Sequence, residues 1–505
     1  MPFRYHFLLL VSAILISSSE RVEAQAFNKI YEDVSQSLVI YLTEDEQFYY
    51  SIGYSENFGA PELGFALRTI DKKTGEVVRF LYHTIPDSWM FHGRCKKVVH
   101  LGTKMYFVYK VFDTIYIYEY DKATYKLSVL DTIVHNDNPV FTWDIQHINN
   151  KMLVTYEYLD QNDSIQAKIF EIDQFGNKKT FDIKTKEETI QLAGLIRELS
   201  PGKLVATGNW SNQDANNLKM RIVIMVMDTS YNVISEWWTP IQDNAFTVAD
   251  VIILNEDEIL AMLQLRNYDY IFESGAFPHF VYRINLKDRK VLWKKNFTLP
   301  ESRYTTSLGA LTKGNQEDTY FMCSSTYAKD IKKLDSIVTV GRVVKFWSNG
   351  NVIWQRDYMF TKEGIQLENN FNNMIATMDG HYLIGGETVH NGASKAWLVK
   401  INENGHILGD TTSSVQWEKE DWKNYITIYP NPVSDVLYIN QEDISEVEYS
   451  LSDMTGKEVA NYAGTVAFQS TVWDISHLVE GQYLLTIHRR GKIIGSTKII
   501  KAGSR

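Results

Sequence analysis

Ser200-Pro201-Gly202-Lys203-Leu204-Val205-Ala206, followed by Met225-Val226-Met227-Asp228 and Val233-Ile234-Ser235-Glu236-Trp237, is one copy of a pattern that runs through most of this 505-residue chain. The pattern is an apolar strand, a polar turn, a second apolar strand and a variable loop. A third strand ending in Asp or Asn, a turn and a fourth strand complete it. The first turn recurs at Thr43-Glu44-Asp45-Glu46, Gly102-Thr103-Lys104, Asn149-Asn150-Lys151, Asn255-Glu256-Asp257-Glu258, Lys313-Gly314-Asn315-Gln316 and Asp379-Gly380-His381. The third strand closes at Asp71, Asp121, Asp173, Asp228, Asn285, Ser348 and Asn402, with successive spacings of 50, 52, 55, 57, 63 and 54. Asp and Asn side chains cap such turns, and Gly75, Gly176, Gly350 and Gly405 accept the positive φ that follows. Trp237, Trp293 and Trp354 stand shortly after the turn, on the fourth strand.

Seven four-stranded units at this period predict a seven-bladed β-propeller, because one unit cannot bury both faces of its sheet and a closed ring of units can. A pair of β-sandwiches is the rival arrangement of short regular strands. Lys186 to Leu199 has helical periodicity, but its place in the repeat assigns it to a loop and the first strand of a blade. Asp71-Lys72-Lys73-Thr74-Gly75-Glu76-Val77 and Val291-Leu292-Trp293 resemble quinoprotein-type propeller repeats in their structural positions alone. That resemblance implies a vicinal cysteine pair, and Cys95 and Cys323 are far apart, so no quinone cofactor is expected.

Beyond the repeats, Trp417 to Asn424 is charged and aperiodic, a linker over residues 416–424. Tyr425 to Lys501 then reads as about seven short strands, an Ig-like β-sandwich. Pro430-Asn431-Pro432 forbids a central strand where it falls. This segment, 425–505, resembles the C-terminal sorting domain of the Bacteroidetes type IX secretion system. The matching pieces are Tyr429-Pro430-Asn431-Pro432 with Leu437-Tyr438-Ile439, the turn containing Gly456 and Lys457, Gly481-Gln482-Tyr483-Leu484-Leu485-Thr486-Ile487, and a close on Lys498-Ile499-Ile500-Lys501. The resemblance implies export across the outer membrane by the type IX machinery, and attachment to the cell surface or release. About the activity of the propeller it implies nothing.

The N-terminus agrees with export. Arg4 precedes an apolar run from Phe7 to Ile16, and Val22-Glu23-Ala24 offers small residues at a cleavage site, so residues 1–24 read as a signal peptide that leads into the periplasm. No later segment reaches the roughly twenty apolar residues of a membrane-spanning helix. No cysteine follows the run, which argues against a lipoprotein anchor. The two cysteines make no disulfide framework and read as buried apolar side chains. A formal net charge of −11 disfavours nucleic acid as a partner.

Within residues 25–415, signatures of catalysis are absent: no His-Glu-x-x-His, no Gly-x-Ser-x-Gly and no phosphate-cradling loop. Asp160-Gln161-Asn162-Asp163-Ser164 offers clustered oxygens, but it lacks the glycine and distal glutamate of a calcium-binding loop. His135, Asp137, Asp144 and His147 cluster in sequence, yet ordinary polar strand and loop residues account for them, and neither a metal nor a catalytic residue is expected. The site expected instead is the set of loops between second and third strands, which open on one face and carry Trp210, Asn212, Tyr268, Tyr270, Tyr327, His390 and Asn391. Aromatic rings beside amides suit a sugar or a protein surface. The reading is a secreted or surface-attached propeller that binds a glycan or a protein. The alternatives are a polysaccharide hydrolase with carboxylates drawn from several blades, and a structural adhesion component.

Overall fold

The computed structural model describes residues 28–56, 63–85, 97–111, 113–135, 140–160, 165–183, 192–211, 220–240, 245–265, 279–297, 309–329, 337–362, 365–366, 368–390, 393–407, 426–441, 447–453, 458–464, 469–489 and 492–503. Among them every regular element is a β-strand. The chain divides into two compact units, Met1–Ser414 and Val415–Arg505.

The first unit is a seven-bladed propeller of antiparallel sheets. Blade 1 has a broken inner strand, Gln36–Ser37 and Tyr41–Glu44, then Phe48–Glu56, Gly64–Asp71 and Val77–Thr84. Blade 2 is Val99–Leu101, Lys104–Val111, Thr114–Asp121 and Lys126–Val134; blade 3 is Val140–Ile148, Lys151–Leu159, Ile165–Asp173 and Lys178–Asp182. Blade 4 is Leu192–Ser200, Lys203–Ser211, Met220–Asp228 and Val233–Trp238; blade 5 is Ala245–Ile253, Glu258–Leu265, His279–Asn285 and Lys290–Asn296. Blade 6 is Ala310–Lys313, Thr319–Lys329, Ile337–Trp347 and Val352–Tyr358. Blade 7 takes Glu368–Ala376, Tyr382–His390 and Ala393–Ile401 from the end of the unit and its fourth strand, Asn28–Tyr31, from the beginning.

That last pairing departs from the simple repeat, which places a fourth strand after Asn402. Here Asn28 pairs with Val399 and Tyr31 with Ala396, so hydrogen bonds between the two ends of the unit close the ring. Inner and middle strands are largely buried while fourth strands are mostly exposed or half-buried, as in Lys290–Asn296, which gives the order from axis to rim. Leu192–Ser200 is a strand, so tertiary context overrides its helical periodicity.

Apolar clusters fill the blade joints. Phe65, Phe107, Ile117 and Tyr156 belong to the cluster spanning blades 1 to 3, and Ile169, Ile196 and Met225 to the joint of blades 3 and 4. Leu260, Met322 and Phe346 join blades 5 and 6. Tyr31, Val39, Tyr49, Leu383 and Leu398 join blades 7 and 1. Burying a large apolar side chain is worth about 2–3 kcal/mol, so these seams carry most of the stability.

Polar latches set the angle of one blade on the next. The third-strand turns are built as expected: Asp71 Oδ1 accepts from Lys73 N and Thr74 N at 2.9 and 2.8 Å, and Gly75 and Gly405 take φ of 68° and 75°. The carbonyls of these turns are bonded by the preceding blade. Trp293 Nε1 donates to Ser348 O at 2.8 Å, Trp354 Nε1 to Glu403 O at 3.3 Å and Tyr31 OH to Gly75 O at 2.9 Å. The recurring fourth-strand aromatic is thus explained by a bond to its neighbour's turn in blades 5, 6 and 7.

In the second unit, Ile426–Tyr429, Val436–Gln441 and Gln469–Asp474 form one sheet. Glu458–Gly464, Val447–Asp453, Gly481–Arg489 and Lys492–Lys501 form the other. Leu437, Ile439 and Trp473 of the first share a core with Tyr449, Leu451, Leu485 and Ile499 of the second, which makes a seven-stranded sandwich.

Trp293→Phe keeps an aromatic ring in the seam and removes the bond to Ser348 together with part of the indole's packing. Urea unfolding of the propeller is expected to lose at least about 1 kcal/mol, the net worth of one such bond; an unchanged midpoint would show that the latch does not hold the joint.

Candidate functional site

Antiparallel topology gives the propeller two unlike faces. First-to-second and third-to-fourth connections are tight turns such as Asn149-Asn150 and Asp71–Gly75, and they lie on one face. Second-to-third connections and the links between blades lie on the other. Between the strand ends that open on this side the sequence intervals are long in blades 1, 4, 5 and 6, at 57–63, 212–219, 266–278 and 330–336, and short in blades 2 and 7, at 112–113 and 391–392. Short turns leave little for a ligand to grip, whereas long connections on a rigid ring can vary independently.

Three of the expected site residues have described strand positions, all at the loop-face ends of second strands. Trp210 pairs with Arg221 in blade 4, Tyr327 with Thr339 in blade 6 and His390 with Ala393 in blade 7. Asn212, Tyr268, Tyr270 and Asn391 lie outside the described residues. The topology therefore puts the first three on one face.

Beneath that face the blade seams turn polar. The residue six places beyond the first of each second strand in blades 2 to 6 is Lys110, Glu157, Asn209, Gln264 and Ser325, all buried. Burial pushes the Lys110 ammonium down to about 8, against the pull of Glu157 across the seam. Ser325 Oγ accepts from Phe371 N at 3.0 Å in the next blade, and Asn370 Nδ2 donates to Glu387 at 3.2 Å within blade 7.

Nearer the axis, a second set of polar groups sits at bulges in the inner strands. Register shifts fall between Thr142 and Asp144, between Val248 and Asp250, and between Phe371 and Asn373. Each bulge frees a side chain to reach the following blade. Asp144 Oδ2 accepts from Ile196 N at 3.0 Å, Asp250 Oδ2 accepts from Leu311 N at 3.0 Å, and Asn373 Nδ2 donates to Ile40 O at 3.0 Å. Arg197 donates to Asp144 and lies 3.5 Å from Asp250, bridging carboxylates of blades 3 and 5 from blade 4. Burial drives the Asp144 carboxyl above the ordinary carboxylate range, although Arg197 opposes the shift. These carboxylates act as latches between blades, committed to a guanidinium and to backbone amides.

Of the sequence cluster His135, Asp137, Asp144 and His147, the three described residues do not converge. His135 stacks on Tyr158 at 3.8 Å between ring centroids, Asp144 is buried against Arg197, His147 is exposed and Asp137 lies outside the described residues. Strand alternation and the bulge after Thr142 send these side chains to different surroundings. Among the described residues no group of three or more His, Cys, Asp or Glu is placed to hold a metal ion. Asp160 accepts from Gln166 Nε2 at 3.1 Å, and residues 161–164 of that loop lie outside the described residues. Cys323 is buried in the seam of blades 6 and 7, and Cys95 lies outside the described residues.

Sequence reasoning missed Arg197, Asp250 and Asn373. Aligning the repeats on their first turns reveals Asp250 and Asn373 beside Asp144, though not Arg197: a polar residue interrupts the inner strand five places before Asn149 and Asn255, and six before Asp379.

Of the sorting-domain positions, Pro430, Asn431, Pro432, Gly481, Tyr483 and Lys498 are described; Gly456 and Lys457 are not. Tyr483 is buried and donates to Val479 O at 2.8 Å. Gly481 pairs with Lys501 and Lys498 with Leu484, so the third and fourth sorting pieces are neighbouring strands.

Fold and faces together define an all-β protein in which a seven-bladed propeller is joined to a small sandwich. Residues 427–502 match the secretion system C-terminal sorting domain family, and the C-terminal unit is such a domain. The chain is thereby marked for export by the type IX secretion system. Among curated proteins no sequence matches. Similar solved structures include Drosophila Semaphorin 2a, 9% identical over 96% of this chain and 98% of that one, with a TM-score of 0.41. A subtype N11 neuraminidase-like protein of A/flat-faced bat/Peru (H18N11) is 8% identical over 76% and 95%, with 0.39. A thermostable family-43 glycoside hydrolase is 10% identical over 67% and 95%, with 0.33. At these scores the likenesses carry no argument about activity. Among the described residues no helix is long and apolar enough to cross a membrane.

Arg197→Ala leaves two buried carboxylates without their shared cation, and the expected loss is roughly 3–5 kcal/mol at pH 7. Asp144, already raised above the ordinary carboxylate range, rises further without Arg197. The folded variant then takes up a proton at a higher pH than the unfolded chain does, which restores stability as pH falls. Urea midpoints at pH 7 and pH 5 should show the deficit shrinking at the lower pH; a deficit independent of pH contradicts the bridge.

Proposed function

We propose that this protein is an exported binding module whose propeller takes a glycan or a surface protein on its loop face. On this reading residues 1–24 are removed on the way through the periplasm, residues 25–415 are the working domain, 416–424 are a linker and 425–505 direct passage to the cell surface or the medium. The observation that carries the reading is the asymmetry of the ring: tight capped turns on one face, and on the other second-to-third intervals that are long in blades 1, 4, 5 and 6. Trp210, Tyr327 and His390 sit at second-strand ends on the loop side. The inner-strand carboxylates Asp144 and Asp250 are occupied as latches, which favours binding over hydrolysis among the described groups.

A glycan array and a pull-down from outer-membrane extract, both with residues 25–415, test this. Phe175, in the third-strand turn of blade 3 and 80% exposed, provides the control on the turn face. Trp210→Ala is expected to weaken binding tenfold or more and Phe175→Ala to leave it unchanged. Binding lost in the Phe175 variant and kept in Trp210→Ala, Tyr327→Ala and His390→Ala would move the site to the other face.

A further inference from the structure

Lys492–Lys501 is the edge strand of its sheet, so one side of its backbone faces away from Gly481–Arg489. On that side the Asn431 carboxamide stands in for a backbone peptide group. Its Nδ2 donates to Lys498 O at 2.7 Å and its Oδ1 accepts from Ile500 N at 2.9 Å. Two residues on, the Val433 backbone continues the row: its N–H donates to Ile500 O at 2.8 Å and its carbonyl accepts from Ala502 N at 2.8 Å. Val433 and Lys501 form a parallel bridge. Four successive outward-facing groups of the last strand are thus satisfied. Pro430 and Pro432 have no N–H to contribute, and beside Lys498 the Asn431 side chain makes the pairing.

Any short polar residue would suffice in a solvated turn. Pairing a carbonyl and an N–H two residues apart requires a donor and an acceptor held in one plane, and the Asn carboxamide supplies both. An open edge strand invites pairing with other chains, and chain ends fray unless tied down. The family match begins at residue 427 and ends at 502, and these bonds join its two ends.

We propose that Asn431 is a positioning residue of the sorting signal. It fastens Pro430-Asn431-Pro432 to Lys498–Lys501 as one folded clasp, and the export machinery engages that clasp as a surface rather than as a linear tail. The proposal rests on the sorting role of this unit and is independent of what the propeller binds.

The test uses the full chain in a host with a type IX system. Asn431→Ala removes both bonds, and Asn431→Asp keeps the acceptor while losing the donor. Asn440→Ala is the control, because its amide reaches Tyr429 OH at 3.1 Å outside the clasp. Hydrogen exchange of the purified precursor reads the clasp, and the exported fraction reads its use. Exchange at Lys498–Ala502 should quicken about tenfold in Asn431→Ala, as expected for two side-chain-to-backbone bonds, and less in Asn431→Asp. Val447–Asp453 should stay protected, export should fall in the same order, and Asn440→Ala should match the unmodified protein. Unchanged exchange in Asn431→Ala, or faster exchange with undiminished export, overturns the proposal. If Asn431→Ala exposes Val447–Asp453 as well, Asn431→Asp decides by the same two criteria.

Discussion

The propeller depends on one pairing, that of Asn28–Tyr31 with Ala393–Ile401. A ring of wedges gains nothing from the last seam unless the ends are held, because an open ring exposes two blade faces made of Val, Leu, Ile and Tyr. Four residues are enough here because they are tied in three ways. Their backbone completes blade 7, Tyr31 enters the apolar seam with blade 1 and bonds Gly75, and Trp397 Nε1 donates to Asn28 Oδ1 at 2.6 Å. Around that joint lie further buried charges: Lys72 with Glu44, Lys400 with Asp379, and the Met378 N–H on Glu44 at 2.6 Å. The Lys72 and Lys400 ammonium groups lie 5.1 and 5.3 Å from the centroid of the Tyr49 ring. Such groups add directionality to a seam whose gross stability is hydrophobic.

The same logic repeats at lower density around the ring. Apolar side chains fill each seam near the turn face, and polar ones replace them towards the loop face. Buried polar groups are tolerated when they are paired, and Asp144, Thr155, Glu171, Asp250, Ser325 and Asn373 each bond the neighbouring blade. The result is a scaffold whose stability comes from the half of each blade that the loops do not touch. Variation in the loops is then cheap, which is why the functional reading falls on that face.

Much of this was legible from residues. The Asp and Gly turns, the fourth-strand Trp positions and the period near 55 gave the blades because turn chemistry is local. Four sorting pieces marked the C-terminal unit, and its seven strands follow their alternation. What was not legible is non-local. The origin of the seventh blade's last strand depends on a contact between chain segments 369 residues apart, as between Asn28 and Trp397. Asp144, Arg197 and Asp250 become a bridge only once three inner strands stand side by side, and Asp144 looks like a loop-edge carboxylate until a bulge turns it inward. The loop-face residues answer to composition alone, and of these Trp210, Tyr327 and His390 occupy described strand positions.

Hydrogen exchange of the intact chain tests the closed ring most directly. If the account is right, those amides of Asn28–Tyr31 that bond the partner strand Ala393–Ile401 are protected with it, and the two segments lose that protection together as denaturant rises. Rapid exchange throughout Asn28–Tyr31 beside a protected Ala393–Ile401 would contradict it: the ring would then be open at blade 7.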